Sequence, residues 1–187
     1  MNRWAITVCG VLVLAVAGNL GARPAEDGPS AGRAPTKRSD ESAQWRSCAA
    51  AAAVDFQVPL IVLTLLREME GGRIGHEVVN TDGSYDIGPM QINSQHLPTF
   101  QRYGISRAML RDMMCVNVYA AAFLLRDLMQ RYPSVADVVA HYHSPTPSVQ
   151  VIYLKRATGI VERRMRALRA AGVPRPERQS GKAKAGA

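Results

Sequence analysis

Apolar residues recur at three- and four-residue spacing through most of the chain, and glycine, proline and polar clusters interrupt them at short intervals. These periods predict helices over residues 43–54, 59–70, roughly 94–102, 106–113, 115–131, 134–142 and 148–171. Turns such as Tyr103-Gly104 and Tyr132-Pro133 separate several of them. Period-two alternation is sustained nowhere; at most, residues 85–93 form a short extended piece. The fold class expected is therefore mainly α, with no internal repeat. Residues 18–41 are Gly, Pro, Ala, Ser and charge, and read as a disordered linker, so the domain is placed at 42–171. After it, Gly172-Val173-Pro174-Arg175-Pro176 breaks the last helix, and 172–187 reads as a disordered basic tail.

The N-terminal pattern differs in kind. Met1-Asn2-Arg3 followed by an apolar run from Ala5 to Ala17, with Ala15-Val16-Ala17 as small residues for cleavage, reads as a signal peptide over 1–17. A membrane anchor is the competing reading, but the run is shorter than the ~20 residues that span a bilayer. Export to the periplasm is the expectation. Cleavage would remove Cys9 and leave Cys48 and Cys115 with only each other, which predicts a structural disulfide. A nucleophilic cysteine would need a histidine base and an electropositive setting, whereas Cys48 precedes the bland run Ala49 to Ala53.

The chain is 187 residues long and 47% hydrophobic, enough for one domain with a real core. Its net charge of +8 implies attraction to a polyanion, and Arg163, Arg164, Arg166, Arg169, Arg175, Arg178, Lys182 and Lys184 carry much of it. Few aromatics interleave with these cations for stacking on bases, so nucleic acid is not the expected partner. An anionic wall or membrane surface fits an exported protein, and a merely solvated helix face with a charged tail fits equally well.

Chemistry concentrates between Glu70 and Asn93. Pro59 opens the preceding apolar helix and Gly71-Gly72 stop it, which puts Glu70 at the helix C-terminus. The negative end of the macrodipole and apolar neighbours both disfavour its ionisation, so Glu70 is expected to stay protonated near neutral pH, as a general acid must. Glu68 is the competitor; two helical residues away, about 200° around the axis, it cannot face the same cleft. Helical stripes do not separate the two, since Leu66 and Leu63 back Glu70 while Leu65 and Ile61 back Glu68.

Taken together, Glu70-Gly71-Gly72, the loop Asn80-Thr81-Asp82-Gly83-Ser84, the stretch Asp86-Ile87-Gly88-Pro89-Met90-Gln91-Ile92-Asn93 and the downstream Ala140-His141-Tyr142-His143-Ser144-Pro145 resemble the lysozyme-like SLT-type lytic transglycosylases. The likeness is greatest to the small specialised members attached to bacterial conjugation and secretion machines, and it spans about residues 48–156. It implies a lysozyme-like fold with a catalytic cleft and Glu70 as the sole catalytic acid and base. It also implies glycan contacts from Gln91 and Asn93, Met90 beside the sugar path, and Tyr142 in the cleft. Asn80 falls near the family position whose polar side chain orients the catalytic carboxyl. Many members read Y-N-x-G where this chain has Tyr142-His143-Ser144.

The reaction so implied cleaves the β-1,4 bond between N-acetylmuramic acid and N-acetylglucosamine in peptidoglycan. The substrate's own C6 hydroxyl closes a 1,6-anhydro ring, so the second carboxylate of ordinary glycosidases is not required. Asp86 is the nearby carboxylate able to make the site a hydrolase; the favoured reading makes it a loop brace hydrogen-bonded to backbone amides. Glu77 is expected in solvent. His141 and His143 lack Cys or carboxylate partners at metal-ligand spacing, so no metal and no cofactor are expected. Expected partners are peptidoglycan strands and possible proteins of a secretion or conjugation apparatus, with the chain a monomer. The alternatives are a hydrolytic muramidase of goose-lysozyme type and a non-catalytic peptidoglycan-binding assembly factor.

Overall fold

The computed structural model describes residues 37–173, and the segment read as a signal peptide, most of the linker and all but the start of the basic tail lie outside them. The described chain is mainly helical, with one small sheet. Helix α1 (Lys37–Asp55) runs against α5 (Met114–Arg131), and Cys48 is bonded to Cys115 between them, with Cα atoms 5.0 Å apart. Because α1 begins at Lys37, the last five residues read as linker are helical; Asp40 lies in the first turn, where a carboxylate favours the helix dipole.

Helix α2 (Leu60–Glu70) follows Pro59, the residue just outside its first turn, and presents Val62, Leu63, Leu66 and Met69 to the core. It stops at Gly71, whose φ of 63° is left-handed and whose N–H caps the carbonyl of Arg67. The chain then forms three antiparallel strands in the order β1-β2-β3: β1 (Glu77–Val79), β2 (Tyr85–Ile87) and β3 (Ile92–Asn93). Val78 pairs with Asp86, and Asp86 with Asn93. A 3-10 turn (Ser94–His96), α3 (Leu97–Gln101) and α4 (Arg107–Asp112) lead to α5; α6 (Val135–His143) and α7 (Pro147–Ala170) complete the fold.

A polar side chain sits at the centre of this core. Asn117 on α5 has 0% exposure; it accepts the N–H of Met90 at 2.7 Å and donates to the carbonyls of Ile87 and Leu110, both at 2.9 Å. One amide thereby ties β2, the following loop and α4 to α5 without leaving an atom unpaired. The loop depends on glycine for the approach: a Cβ on Gly88 would lie 2.7 Å from both Asn117 Nδ2 and the Leu110 carbonyl. Gly72 is equally constrained, since a Cβ there would come within 2.1 Å of the Gly88 carbonyl. Arg67 closes the arrangement by donating to the carbonyls of Gly72 and Pro89. The end of α2 is thus locked onto the loop that carries Gln91.

Candidate active site

Glu70 ends α2 with its side chain only 9% exposed. Burial pushes its carboxyl up to about 7, the Tyr153 hydroxyl pulls it down by hydrogen bonding, the charge of Asp86 pushes it up again, and the charge of Arg156 pulls it down. The expected protonation near neutrality thus has burial as its main cause. At pH 7 the group is poised to exist in either form, which suits a residue that must give a proton and later take one.

Tyr153, on α7, donates its hydroxyl to Glu70 Oε1 at 2.5 Å. The His143 ring stacks on the Tyr153 ring at 4.1 Å and 9°, and His143 Nδ1 stands 3.9 Å from Glu70 Oε1, too far for a hydrogen bond. Burial holds the imidazole below its ordinary value, so His143 is neutral at neutral pH and packs rather than pairs. Tyr142 sends its hydroxyl to the Met90 carbonyl at 3.0 Å and is raised well above its ordinary value by burial and by the charges of Glu70 and Asp86. The ends of α2 and α6 and the first half of α7 therefore meet at Glu70.

Glu68 points elsewhere. It is exposed and paired with Arg164 at 2.6 Å and Arg163 at 3.6 Å on α7. That separates the two carboxyls as the helical angle requires.

The charge of Asp86 bears on Glu70, Tyr142 and His143. Its partner is not a backbone amide, as expected, but the side-chain amide of its cross-strand neighbour Asn93, at 2.9 Å. Asn93 also donates to Ser84 and accepts the Gln95 N–H, so it both ties β3 to β2 and starts the 3-10 turn. Gln91 adopts a φ of 50°, uncommon for a residue with a Cβ, and donates its amide to the Gly88 carbonyl at 2.8 Å. It lines an open depression beside Gly71 and Gly72 together with Arg73, His76 and Val78.

Three placements correct the sequence reading. The Asn80 amide goes to Ser84 at 3.0 Å and its backbone closes the β1–β2 hairpin, so the polar group that meets the Glu70 carboxyl is Tyr153. Met90 is fully buried, and what it offers the site is its carbonyl; no side-chain surface is left for a sugar path. Glu77 is not simply solvated: it takes both arms of the Arg107 guanidinium, which lies 4.1 Å over the Tyr85 ring, and this pairing holds its carboxyl below the usual range. His141 lies outside the cluster, its Nδ1 at 2.8 Å from the Asp137 carbonyl and its ring stacked on Tyr132.

Tyr153 was hidden in the sequence because Tyr153, Ala157 and Ile160 form the buried stripe of α7 and read as core. The available signal was its hydroxyl, which a buried tyrosine must satisfy.

Known proteins share this arrangement of sequence. The chain is 34% identical over 106 residues to the "Invasion protein IagB" of Salmonella typhimurium, a match covering 54% of this chain and 64% of that protein. It is 34% identical over 113 residues to "Protein IpgF" of Shigella flexneri, covering 59% and 74% respectively. It is 26% identical over 106 residues to the "X polypeptide" of Escherichia coli, covering 56% and 63%. The chain thus spans under two thirds of the length of the Salmonella relative. The transglycosylase SLT domain family matches residues 47–151, a span holding Glu70, Asp86, Gln91, Asn93 and Tyr142, and the chain belongs to that family.

Proposed function

We propose that this protein is a peptidoglycan lytic transglycosylase that cuts between N-acetylmuramic acid and N-acetylglucosamine and leaves 1,6-anhydromuramic ends. The observation that carries the reading is the state of Glu70: buried, raised to about 7 and hydrogen-bonded by Tyr153. Protonated, it gives its proton to the leaving glycosidic oxygen as the bond to C1 breaks. The resulting carboxylate, steadied by the Tyr153 hydroxyl, accepts the proton of the C6 hydroxyl as that oxygen attacks C1. Atoms balance with no water consumed. Asp86, engaged by Asn93, is left to shape the field rather than to activate water.

Export to the periplasm is part of the same proposal; the Cys48–Cys115 bond supports it, because such bridges persist in oxidising compartments. Likeness to an invasion protein supports local wall cutting for an apparatus that crosses the envelope. The test is mass spectrometry of muropeptides after incubation of purified protein with peptidoglycan. Anhydro ends are expected; new reducing ends would make the protein a hydrolase, and no new ends would leave it a binding factor.

A further inference from the structure

Most arginines of α7 beyond the site already have partners: Arg163 and Arg164 hold Glu68, and Arg166 holds Glu162. Arg156 is different. Like Arg169 at the far end of α7 it is exposed and, among the described residues, has no carboxylate within 4.0 Å, but it alone of the two lies near Glu70. It follows Tyr153 by three residues, one helical turn, and so rises from the same wall as the ring that holds Glu70 and stacks on His143. Its charge reaches Glu70, His143 and Tyr153.

Tuning Glu70 does not account for Arg156, because its influence there is the smallest of four, after burial, Tyr153 and Asp86. An open guanidinium with five donors is a receptor for a planar anion. The cleft also contains the charge of Asp86, which would repel an acidic strand unless a cation offset it. The sugar backbone of a peptidoglycan strand is neutral, and its acid is carried by the muramic substituent: a free lactyl carboxylate where the peptide is absent, or peptide carboxylates where it is present.

We propose that Arg156 binds a carboxylate of the muramic substituent, so that this cleft selects strands by the acid they carry. The inference rests on the reading of the cleft as a glycan-cleaving site. An exposed pair of this kind is worth up to about 1 kcal/mol, or about fivefold in affinity.

The test measures binding of the full chain carrying Glu70→Gln, which keeps substrate uncut, to three materials: intact peptidoglycan, the same wall with its carboxylates converted to methylamides, and strands stripped of peptide. Arg156→Gln in that background is expected to weaken binding to intact or to stripped strands about fivefold and to make it less salt-dependent, with Arg156→Lys recovering part of the loss. Loss on intact wall alone assigns a peptide carboxylate, and loss on stripped strands alone assigns the lactyl group. On the methylamide wall the two proteins should bind alike. Arg169→Gln, which removes an exposed arginine far along α7, is the control for general charge. Equal binding by Arg156→Gln and its parent on intact and stripped material, a gap that persists on the methylamide wall, or an equal loss from Arg169→Gln would overturn the proposal. Glycan ends released by the wild-type chain are scored in parallel, so failure of the enzyme reading shows separately.

Discussion

The Tyr153 hydroxyl lies 2.5 Å from Glu70 Oε1 although the two residues are 83 positions apart, and it is the one side-chain hydrogen bond to that carboxyl among the described residues. A donor of this kind favours the ionised acid, and it opposes the burial that holds the proton on.

Tyr153→Phe therefore has a predictable sign. Loss of the donor should raise Glu70 above about 7 and carry the alkaline limb of the pH–rate profile upward with it. The rate at the optimum should fall as well, by about tenfold, because the carboxylate formed as the glycosidic bond breaks loses a hydrogen bond worth ~1.5 kcal/mol. An unmoved limb in muropeptide release would show that the contact does not govern the acid.

Glu70→Gln should remove at least the 10²- to 10⁴-fold that general acid catalysis commonly supplies, while binding to peptidoglycan is retained. Glu68→Gln loses only exposed pairs with Arg163 and Arg164 and should release muropeptides nearly as the parent does. Reversal of the two outcomes would move the acid to Glu68.

Glu70 also links stability to pH. Its carboxyl is raised in the folded state from 4.5 to about 7, so the unfolded chain releases that proton first. The protonated group is tolerated below about 4.5, and stability is lost as pH rises through the folded value, by an amount on the order of 3 kcal/mol. Glu70→Gln should accordingly melt several degrees above the parent at pH 8 and approach it at pH 4. A thermal shift series across that range reads it directly.

Much of this arrangement was visible in the sequence. Helix starts were legible because Ser106 and Ser134, at the predicted edges, cap α4 and α6 with their side chains. The stop at Gly71 was legible from the glycine pair. The extended piece expected over 85–93 holds β2 and β3, split by a turn, whereas β1 was not legible, since three residues cannot show a period and its Val78 and Val79 are exposed. Nor were Glu77 with Arg107, or Asn117 with Met90: pairings 30 and 27 residues apart leave no periodic trace. Tyr153 looked like core because it is buried; only the tip of the side chain meets the Glu70 carboxyl.

The Cys48–Cys115 bond closes a sequence separation of 67 residues, for which the chain-entropy model gives about 4 kcal/mol. Peptide mapping without reduction should show the two linked in the mature protein. Reduction, or Cys48→Ala with Cys115→Ala, should lower the melting temperature markedly by freeing α1 from α5. Free thiols in protein taken from the periplasm would remove the bridge and its support for export.

Asp86→Asn separates the two remaining mechanisms. The amide keeps an oxygen for Asn93 Nδ2, so the β2–β3 pairing should survive, while the negative charge that raises Glu70 is removed. The alkaline limb should then move down, opposite to Tyr153→Phe. Turnover should persist with anhydro ends, because an intramolecular C6 hydroxyl held in line has an effective molarity of about 10⁵ M or more against the ~55 M of water. Digestion in ¹⁸O-water by the wild-type chain should accordingly leave most new muramic ends unlabelled. Heavy labelling by the wild type, together with loss of activity in Asp86→Asn, would make Asp86 the base that activates water. The cleft would then belong to a hydrolase built on the same fold.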